Sequence, residues 1–329
     1  MRILFIIDDL EFKYFEFNKL VTNFWLNVEF LKRSYSVFVA TKNMLNIKNS
    51  KPFCFCANTF FNGYELLKEK ELKNISLDEF DTIFFRPDPP VDINYINATF
   101  ILSMVNPQKT LVLNSPDAIR NKNEKLYIND FPSIAPKNIV TSDSKLIREF
   151  LKENNEIVIK PLNRCFSSGV FYLYNGDKNT NTIINTATEN GKTTVMVQEF
   201  LPEIKNGDKR IIFICGEIFD YSVQKVATND DFKFNEHCDA NLKLTSLTPK
   251  EKEIEKVISK KLLDDGVVMA GLDVIDGKII EINITSPCFF IKEINALYDI
   301  NLEKIIVDKL ENYISKNLNH YCASVLANY

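Results

Sequence analysis

Oily and polar positions along the chain follow a period of two in some stretches and a helical period in others, and the arrangement changes after the first third. Apolar runs at 2–8 (RILFIID), 36–41 (SVFVAT), 82–88 (TIFFRPD) and 110–116 (TLVLNSP) read as strands. Between them, Leu20, Val21, Phe24, Val28 and Leu31 form one helical stripe over 17–32, and a second helix is expected over 94–105. Strands alternating with helices predict a parallel sheet covered on both faces. Ligands of such sheets gather at the carboxyl ends of the strands. Arg86, followed by Pro87-Asp88-Pro89-Pro90, stands at one such end. Its guanidinium could clamp a substrate carboxylate, although a rigid proline turn is the simpler account of these residues alone.

The second part reads differently. A helix at 117–130 and a proline-punctuated link at 131–141 lead to a helix at 142–153. Strands at 156–162 (EIVIKPL) and 169–174 (GVFYLY), a helix at 177–190, and strands at 194–201 (TVMVQEFL) and 209–216 (KRIIFICG) follow. Strands that succeed one another directly predict antiparallel α+β lobes. Thr248 and Pro249 open a helix over 248–265, and a last helix at 301–318 precedes a tail at 319–329.

Residues 269–288, MAGLDVIDGKIIEINITSPC, place two alternating runs around Asp276-Gly277, a hairpin signal. Leu272, Val274, Ile280, Ile282 and Ile284 are apolar, while Asp273, Glu281 and Asn283 fall between them. A two-residue loop would oppose Asp273 to Ile280 and mix the faces. A three-residue loop at 275–277, with Gly277 left-handed, keeps one oily face and one face with three oxygen ligands. Two carboxylates and a carboxamide without His or Cys suit Mg2+ better than zinc. An ordinary solvent-facing hairpin explains the same residues equally well when the hairpin is taken alone.

Composition narrows the field. With 329 residues, 45% hydrophobic, the chain can bury a large core spread over two or three lobes. A net charge of -4 gives no footprint for nucleic acid, and no apolar run reaches the ~18 residues of a membrane span. Seven scattered cysteines, with Cys54 and Cys56 spaced C-x-C, suggest reduced thiols in a cytoplasmic protein rather than a zinc site or a disulfide framework. Two histidines and no G-x-S-x-G leave little for nucleophilic hydrolysis, and neither common glycine-rich nucleotide fingerprint is present.

Several further residues gain meaning from their order. Lys160 ends an oily strand, where a snorkelling side chain is the plain account, and Lys125 would pass for a surface lysine. Gln198-Glu199-Phe200-Leu201 closes a strand as a linker suited to adenine, backbone to the base and acid to a hydroxyl. Asp208-Lys209-Arg210 opens the next strand, and Arg210 could neutralise charge on a transferring phosphoryl group. The succession of two lysines, an acid-bearing linker, Asp-Lys-Arg and then Asp, Glu and Asn resembles the ATP-grasp superfamily. The stretches FRPDPPVD, NSPDAIRNKNEKLY, IKPL, QEFLPEIKNGDKRIIFICGE and GLDVIDGKIIEINITSP resemble bacterial glutathione synthetases over nearly the whole chain.

That resemblance implies an N-terminal α/β domain (1–120), a central ATP-grasp lid lobe (121–200), a C-terminal ATP-grasp lobe (201–318) and a tail (319–329). It implies ATP contacts from Lys125, Lys160, Ser167, Ser168, Gly169, Glu199, Phe200, Leu201 and Asp208, and Arg210 at the transferring phosphate. Asp273, Glu281 and Asn283 become ligands for Mg2+, with two ions expected and Mn2+ an acceptable substitute. Arg86, Lys225, Asn283 and Ser286 become substrate contacts. The implied chemistry is a carboxylate–amine ligation through an acyl phosphate, with small-molecule substrates, no nucleic acid or membrane partner, and room for a homo-oligomer.

Two loops depart from the family. Where it has a glycine-rich flap, this chain reads Asn163-Arg164-Cys165-Phe166-Ser167-Ser168-Gly169. Where it has a Gly- and Arg-rich cover, residues 228–241 contain no Gly, and Lys225, Lys233 and Lys292 replace the arginines the family tends to carry. Three functions therefore stand. They are glutathione synthesis from γ-glutamylcysteine and glycine, a related ligase for another carboxylate–amine pair in a specialised peptide pathway, and a weakly active ATP-binding protein. The retained acidic set favours a ligase.

Overall fold

The structure is a computed structural model that describes residues 1–15, 21–164, 168–226 and 241–326. The first sheet is built on strands β1 (Arg2–Ile7), β2 (Ser36–Thr41), β3 (Leu45–Lys48), β4 (Lys51–Phe61), β5 (Leu66–Lys68), β6 (Lys73–Ser76), β7 (Thr82–Phe85) and β8 (Leu111–Leu113). Its main order is β3-β4-β2-β1-β7-β8. The four expected strands form a parallel core, with β1 between β2 and β7, and β8 beside β7. An antiparallel extension, β3 to β6, was absent from the sequence pattern. Its long strand β4 alternates in burial over its first half, and its buried positions are Pro52, Cys54, Cys56, Ala57 and Thr59 rather than large branched aliphatics. The C-x-C spacing is thus the period of a strand whose inward face carries sulfur.

Helix α1 (Asp9–Lys13) follows β1, and α2 (Thr22–Lys32) covers the sheet. The expected helix over 17–32 therefore starts at Thr22, with 16–20 outside the described residues. Its burial is wider than one stripe: Phe24, Leu26, Val28 and Phe30 are all buried, because the helix lies between the sheet and the last helix. Helix α3 (Ile93–Leu102) is capped by Asp92, which accepts from the Tyr95 N–H at 2.8 Å.

The helix expected over 117–130 is broken. Helix α4 (Pro116–Asn121) stops, and a 3-10 turn occupies Leu126–Asp130. Asn123 makes the break: its Oδ1 accepts from the N–H groups of Lys125 and Leu126, while its Nδ2 donates to the Leu162 carbonyl at 2.8 Å. That turn brings Glu124 and Lys125 to the site instead of leaving them on a helix surface.

A central antiparallel sheet, order β11-β10-β12-β9, uses β9 (Asn138–Thr141), β10 (Glu156–Pro161), β11 (Phe171–Tyr174) and β12 (Val195–Glu199). Helices α5 (Ser144–Asn154) and α6 (Thr180–Ala187) close a small core against Ile157, Ile159, Leu173, Val195 and Val197. The third sheet, order β15-β14-β13-β16-β17, contains β13 (Asp208–Ile214), β14 (Glu217–Val226), β15 (Asn241–Thr245), β16 (Met269–Ile275) and β17 (Lys278–Asn283). Strands β14 and β15 had no counterpart in the sequence reading. Helix α7 (Pro249–Asp264) carries a full capping box between Thr248 and Glu251. Helix α8 (Ile291–Tyr298) was not expected, and α9 (Leu302–Leu326) continues through most of the segment read as a tail. No helix among the described residues is long and apolar enough to cross a membrane.

The first and third sheets share one core. Ile3, Phe5 and Ile7 of β1 pack in the same cluster as Ile212 and Ile214 of β13, under α2, α8 and α9. Asn114 stitches this junction. Its buried amide donates to the carbonyls of Met269 and Ile284, both at 2.7 Å, and accepts from the N–H groups of Val268 and Met269. All four polar valences of one side chain fix where the β16–β17 hairpin sits.

Candidate active site

The hairpin turns through Asp276 (φ 45°) and Gly277 (φ 75°), a two-residue loop rather than the expected three-residue one. The faces are nevertheless unmixed, because a bulge at Ile280 shifts the register between Asp273 and Val274. Asp273 therefore pairs with Glu281, Gly271 with Asn283, and the three oxygen-bearing side chains share one face.

That face borders a cavity of about 630 Å³ between the central and third sheets, with Asp88 and Pro89 of the first domain at one end. Arg210 meets Asp273 as a fork, Nε to Oδ1 at 2.8 Å and Nη2 to Oδ2 at 3.0 Å. Asn283 Nδ2 adds a bond to the same carboxylate at 3.1 Å, and Lys225 approaches it at 3.4 Å. Burial alone would raise the Asp273 pKa, but Arg210 and then Lys225 outweigh it and hold the carboxylate ionised. Lys225 Nζ also reaches Asp208 at 2.5 Å. Burial pushes the Asp208 carboxyl up despite that partner.

The two lysines enter from the opposite side. Lys125 donates to the Arg164 carbonyl at 2.7 Å and meets Glu281 at 3.2 Å. Lys160 is 8% exposed at the end of β10, with no hydrogen bond or ion pair to any described residue. Burial lowers its pKa to about 8, against the pull of Glu281. A buried cation without a partner is costly unless an anion arrives.

The linker after β12 is held at its acid and its first two N–H groups. Glu199 accepts from Lys278 Nζ at 2.6 Å and from the Lys137 N–H at 3.0 Å, both at Oε1, which leaves Oε2 for another donor. Burial would raise its pKa, but Lys278 and the Lys137 N–H together lower it. The N–H groups of Glu199 and Phe200 are spent on Lys137 and Glu156 carbonyls, and Leu201 is the next N–H along the linker. Val158, Ile204 and Ile280 supply an apolar slot between linker and hairpin that sequence reasoning did not single out.

Ser168 lines the cavity and Gly169 (φ 72°) lies just behind it, while Ser167 falls outside the described residues, as does the stretch 227–240 with Lys233. Arg86 is placed differently from its expected role as a substrate clamp. It is 3% exposed behind the cavity wall, donating from Nε to Asn23 Oδ1 and from Nη2 to the Pro287 carbonyl at 2.9 Å. Ser286 does line the cavity and bonds Asp88, whose carboxyl burial pushes up to about 6, with Asp8 adding to the shift. Glu124 was not anticipated. Its Oε1 accepts from the N–H groups of Ile284 and Thr285 and from Thr285 Oγ1, all within 2.9 Å.

Among the described residues no three His, Cys, Asp or Glu side chains converge on a metal position. Asp273 and Glu281 stand beside Asn283, whose Nδ2 is turned to the Gly271 carbonyl and to Asp273, so that its oxygen points elsewhere. An all-oxygen set that leaves room for phosphate and water oxygens fits Mg2+.

Comparison with known proteins agrees with this geometry. Residues 1–120 match the prokaryotic glutathione synthetase N-terminal domain, and 124–299 match the ATP-grasp domain of the same family. Glutathione synthetase from a Nostoc species is 39% identical over 74% of this chain and 73% of its own length. The Synechocystis enzyme is 41% identical over 70% and 72%, and that of Vibrio parahaemolyticus 31% identical over 89% and 93%. Among solved structures, D-cycloserine synthetase DcsG superposes with a TM-score of 0.66 at 13% identity, covering 95% of this chain and 99% of its own. D-alanyl-alanine synthetase A from Vibrio cholerae superposes with a TM-score of 0.55 at 13% identity, covering 96% and 98%. At such identities these two structures speak for the fold, which is ATP-grasp. Enzymes of this kind generally use ATP and Mg2+. The chain belongs to the prokaryotic glutathione synthetase family and is an ATP-dependent carboxylate–amine ligase resembling glutathione synthetase.

Proposed function

We propose that the chain joins γ-glutamylcysteine to glycine at the expense of ATP. The substrate's cysteinyl carboxylate attacks the γ-phosphorus, ADP leaves, and the glycine amine then displaces phosphate from the acyl carbon to form the amide. No protein nucleophile is needed, in keeping with a chain that has two histidines. The observation that carries this reading is the facing of two cavity lysines, Lys125 and Lys160, onto the oxygen face of Asp273, Glu281 and Asn283. A polyphosphate between them meets cations on one side and metal ligands on the other.

In this reading Lys125 and Lys160 hold phosphates with Ser168 and Gly169 over them, Ser167 is a further ATP contact, and Leu201 and Phe200 take the adenine. Glu199 takes a ribose hydroxyl, with Asp208 beside the nucleotide. Asp273, Glu281 and Asn283 hold two Mg2+ ions, or Mn2+ in their place, and Mg2+ when bound supplies Lewis-acid neutralisation of phosphate charge. Arg210 stabilises the charge of the phosphoryl group in flight, and Lys225, Asn283 and Ser286 position the carboxylate and amine. The protein works in the cytoplasm on small molecules, and self-association into a homo-oligomer is compatible with it.

A second reading, ligation of another carboxylate–amine pair, draws on Lys225. Its ammonium is committed to Asp208 and Asp273, and a lysine there cannot offer the fork of an arginine to a substrate carboxylate. An ADP-release screen of dipeptide and amino-acid pairs decides between them. γ-Glutamylcysteine with glycine is expected to give the fastest release. Release with a different pair and none with this one would overturn the first reading in favour of the second.

A further inference from the structure

Six of the chain's seven arginines commit their guanidinium to a described partner: Arg2 to Glu79, Arg33 to Glu29, Arg86 to Asn23, Arg120 to Asp117, Arg148 to Asn181 and Arg210 to Asp273. Arg164 is the exception. Its guanidinium has no hydrogen bond or ion pair to any described residue, yet Arg164 lines the cavity. The residue is solvent-exposed, but its side chain lies against the loop. A Cβ on Gly169 would lie 3.6 Å from Arg164 Nη1 and 3.7 Å from its Cδ, so the arginine head rests across that glycine. Its backbone is held as well: Lys125 Nζ donates to the Arg164 carbonyl at 2.7 Å, and Asn123 ties the Leu162 carbonyl two residues earlier.

We propose that Arg164 is a phosphate-binding residue, gripping the β- or γ-phosphate of the nucleotide with its guanidinium. The inference deepens the nucleotide reading above and rests on it. Its physical basis is a substitution of donors. A glycine-rich flap offers phosphates a row of backbone N–H groups, which requires small residues and open backbone geometry. This loop has one glycine at 163–169, and its Arg164 brings a planar five-donor cation to the cavity wall. A guanidinium matches two phosphate oxygens at once, so one side chain replaces several backbone donors. Lys125, the proposed phosphate ligand, donates to the Arg164 carbonyl and so keeps the backbone that carries the fork beside that subsite. An anionic peptide carboxylate is the other ligand of matching chemistry, and the test separates the two.

The experiment measures binding of Mg·ATP, AMP and adenosine to the full chain by isothermal titration, in wild type, Arg164→Ala and Arg164→Lys. Lys160→Met serves as the reference for a lost phosphate contact. Arg164→Ala is expected to weaken Mg·ATP by about tenfold or more, as for a lost charge-assisted fork, and to leave adenosine unchanged. Arg164→Lys should recover part of the loss. An Arg164→Ala affinity for Mg·ATP within about twofold of wild type, with Lys160→Met impaired, overturns the assignment while leaving the nucleotide reading intact. A raised KM for the carboxylate substrate with Mg·ATP binding unchanged also overturns it, by moving Arg164 to the carboxylate. Wild type that binds no Mg·ATP removes both readings together.

Discussion

The hairpin face and the loop that follows it border the same cavity but are built in opposite ways. Along β16 and β17 the cavity is lined by side chains projected from paired strands, and the register alone brings Asp273, Glu281 and Asn283 together. Around Ser286 it is lined by a loop whose backbone is clasped from all sides. Glu124 holds the N–H groups of 284 and 285, Arg86 the Pro287 carbonyl, Arg210 the Cys288 carbonyl and Thr22 the Phe289 N–H. The first construction needs only a local pattern and one bulge. The second draws on four separated stretches of chain, so its precision depends on the whole junction between the first and third sheets.

The largest expected effect falls on the strand-borne half. Glu281 is partly exposed and carries one ion pair, with Lys125, so its amide analogue should fold normally. On the proposed assignment, Glu281→Gln lowers kcat by roughly 10²–10³-fold while the melting temperature stays close to wild type. Steady-state ADP release with a thermal melt checks both. Turnover above a tenth of wild type would break the idea that this face holds the catalytic ions.

Legibility follows the same division. The alternation around Asp276-Gly277 puts the three oxygen-bearing side chains on one face, although the compensating device is the Ile280 bulge and not a longer loop. Lys160 and Glu199 were readable as strand ends, since β10 and β12 carry ordinary aliphatic patterns. Asn114, Glu124 and Arg86 were not readable in their actual roles. Each acts on backbone more than 150 residues away, and a side chain that bonds a distant carbonyl leaves no local periodicity. Strand β4 was missed for a different reason: its buried positions are proline, cysteine, alanine and threonine, with no large aliphatic to mark an inward face. The one available hint for Glu124 was its neighbour Asn123, a turn former in the middle of an otherwise helical stretch.

A second effect probes the clasp through pH. Glu11 is buried against Asn23, which donates to it at 3.0 Å and in turn accepts from Arg86. Burial pushes the Glu11 carboxyl from 4.5 up to about 8, against the lowering effect of Asn23. Between those values the native state keeps a proton that the unfolded chain has released, so stability falls as pH rises. The contribution is fully present below pH 4.5 and is lost as pH passes about 8. Glu11→Gln, an analogue of the protonated acid, removes this slope. Denaturant melts from pH 5 to 8.5 should show the variant gaining on wild type as pH rises; parallel curves would mean that Glu11 is ionised in the folded protein.

The smallest effect separates positioning from mere packing. Arg86→Lys keeps a positive charge but cannot reach Asn23 Oδ1 and the Pro287 carbonyl together, because an ammonium lacks the rigid fork. One buried acceptor loses its donor, at a cost of about 1 kcal/mol in unfolding free energy. If the clasp sets where Ser286 stands, the carboxylate substrate's KM rises a few-fold while the KM for ATP holds, since no nucleotide contact is assigned to this loop. A loss of stability with both KM values unchanged would make Arg86 a packing residue only. Equal rises in both would show that the strand-borne and clasped halves of the cavity move as one body, and the contrast between them would then disappear.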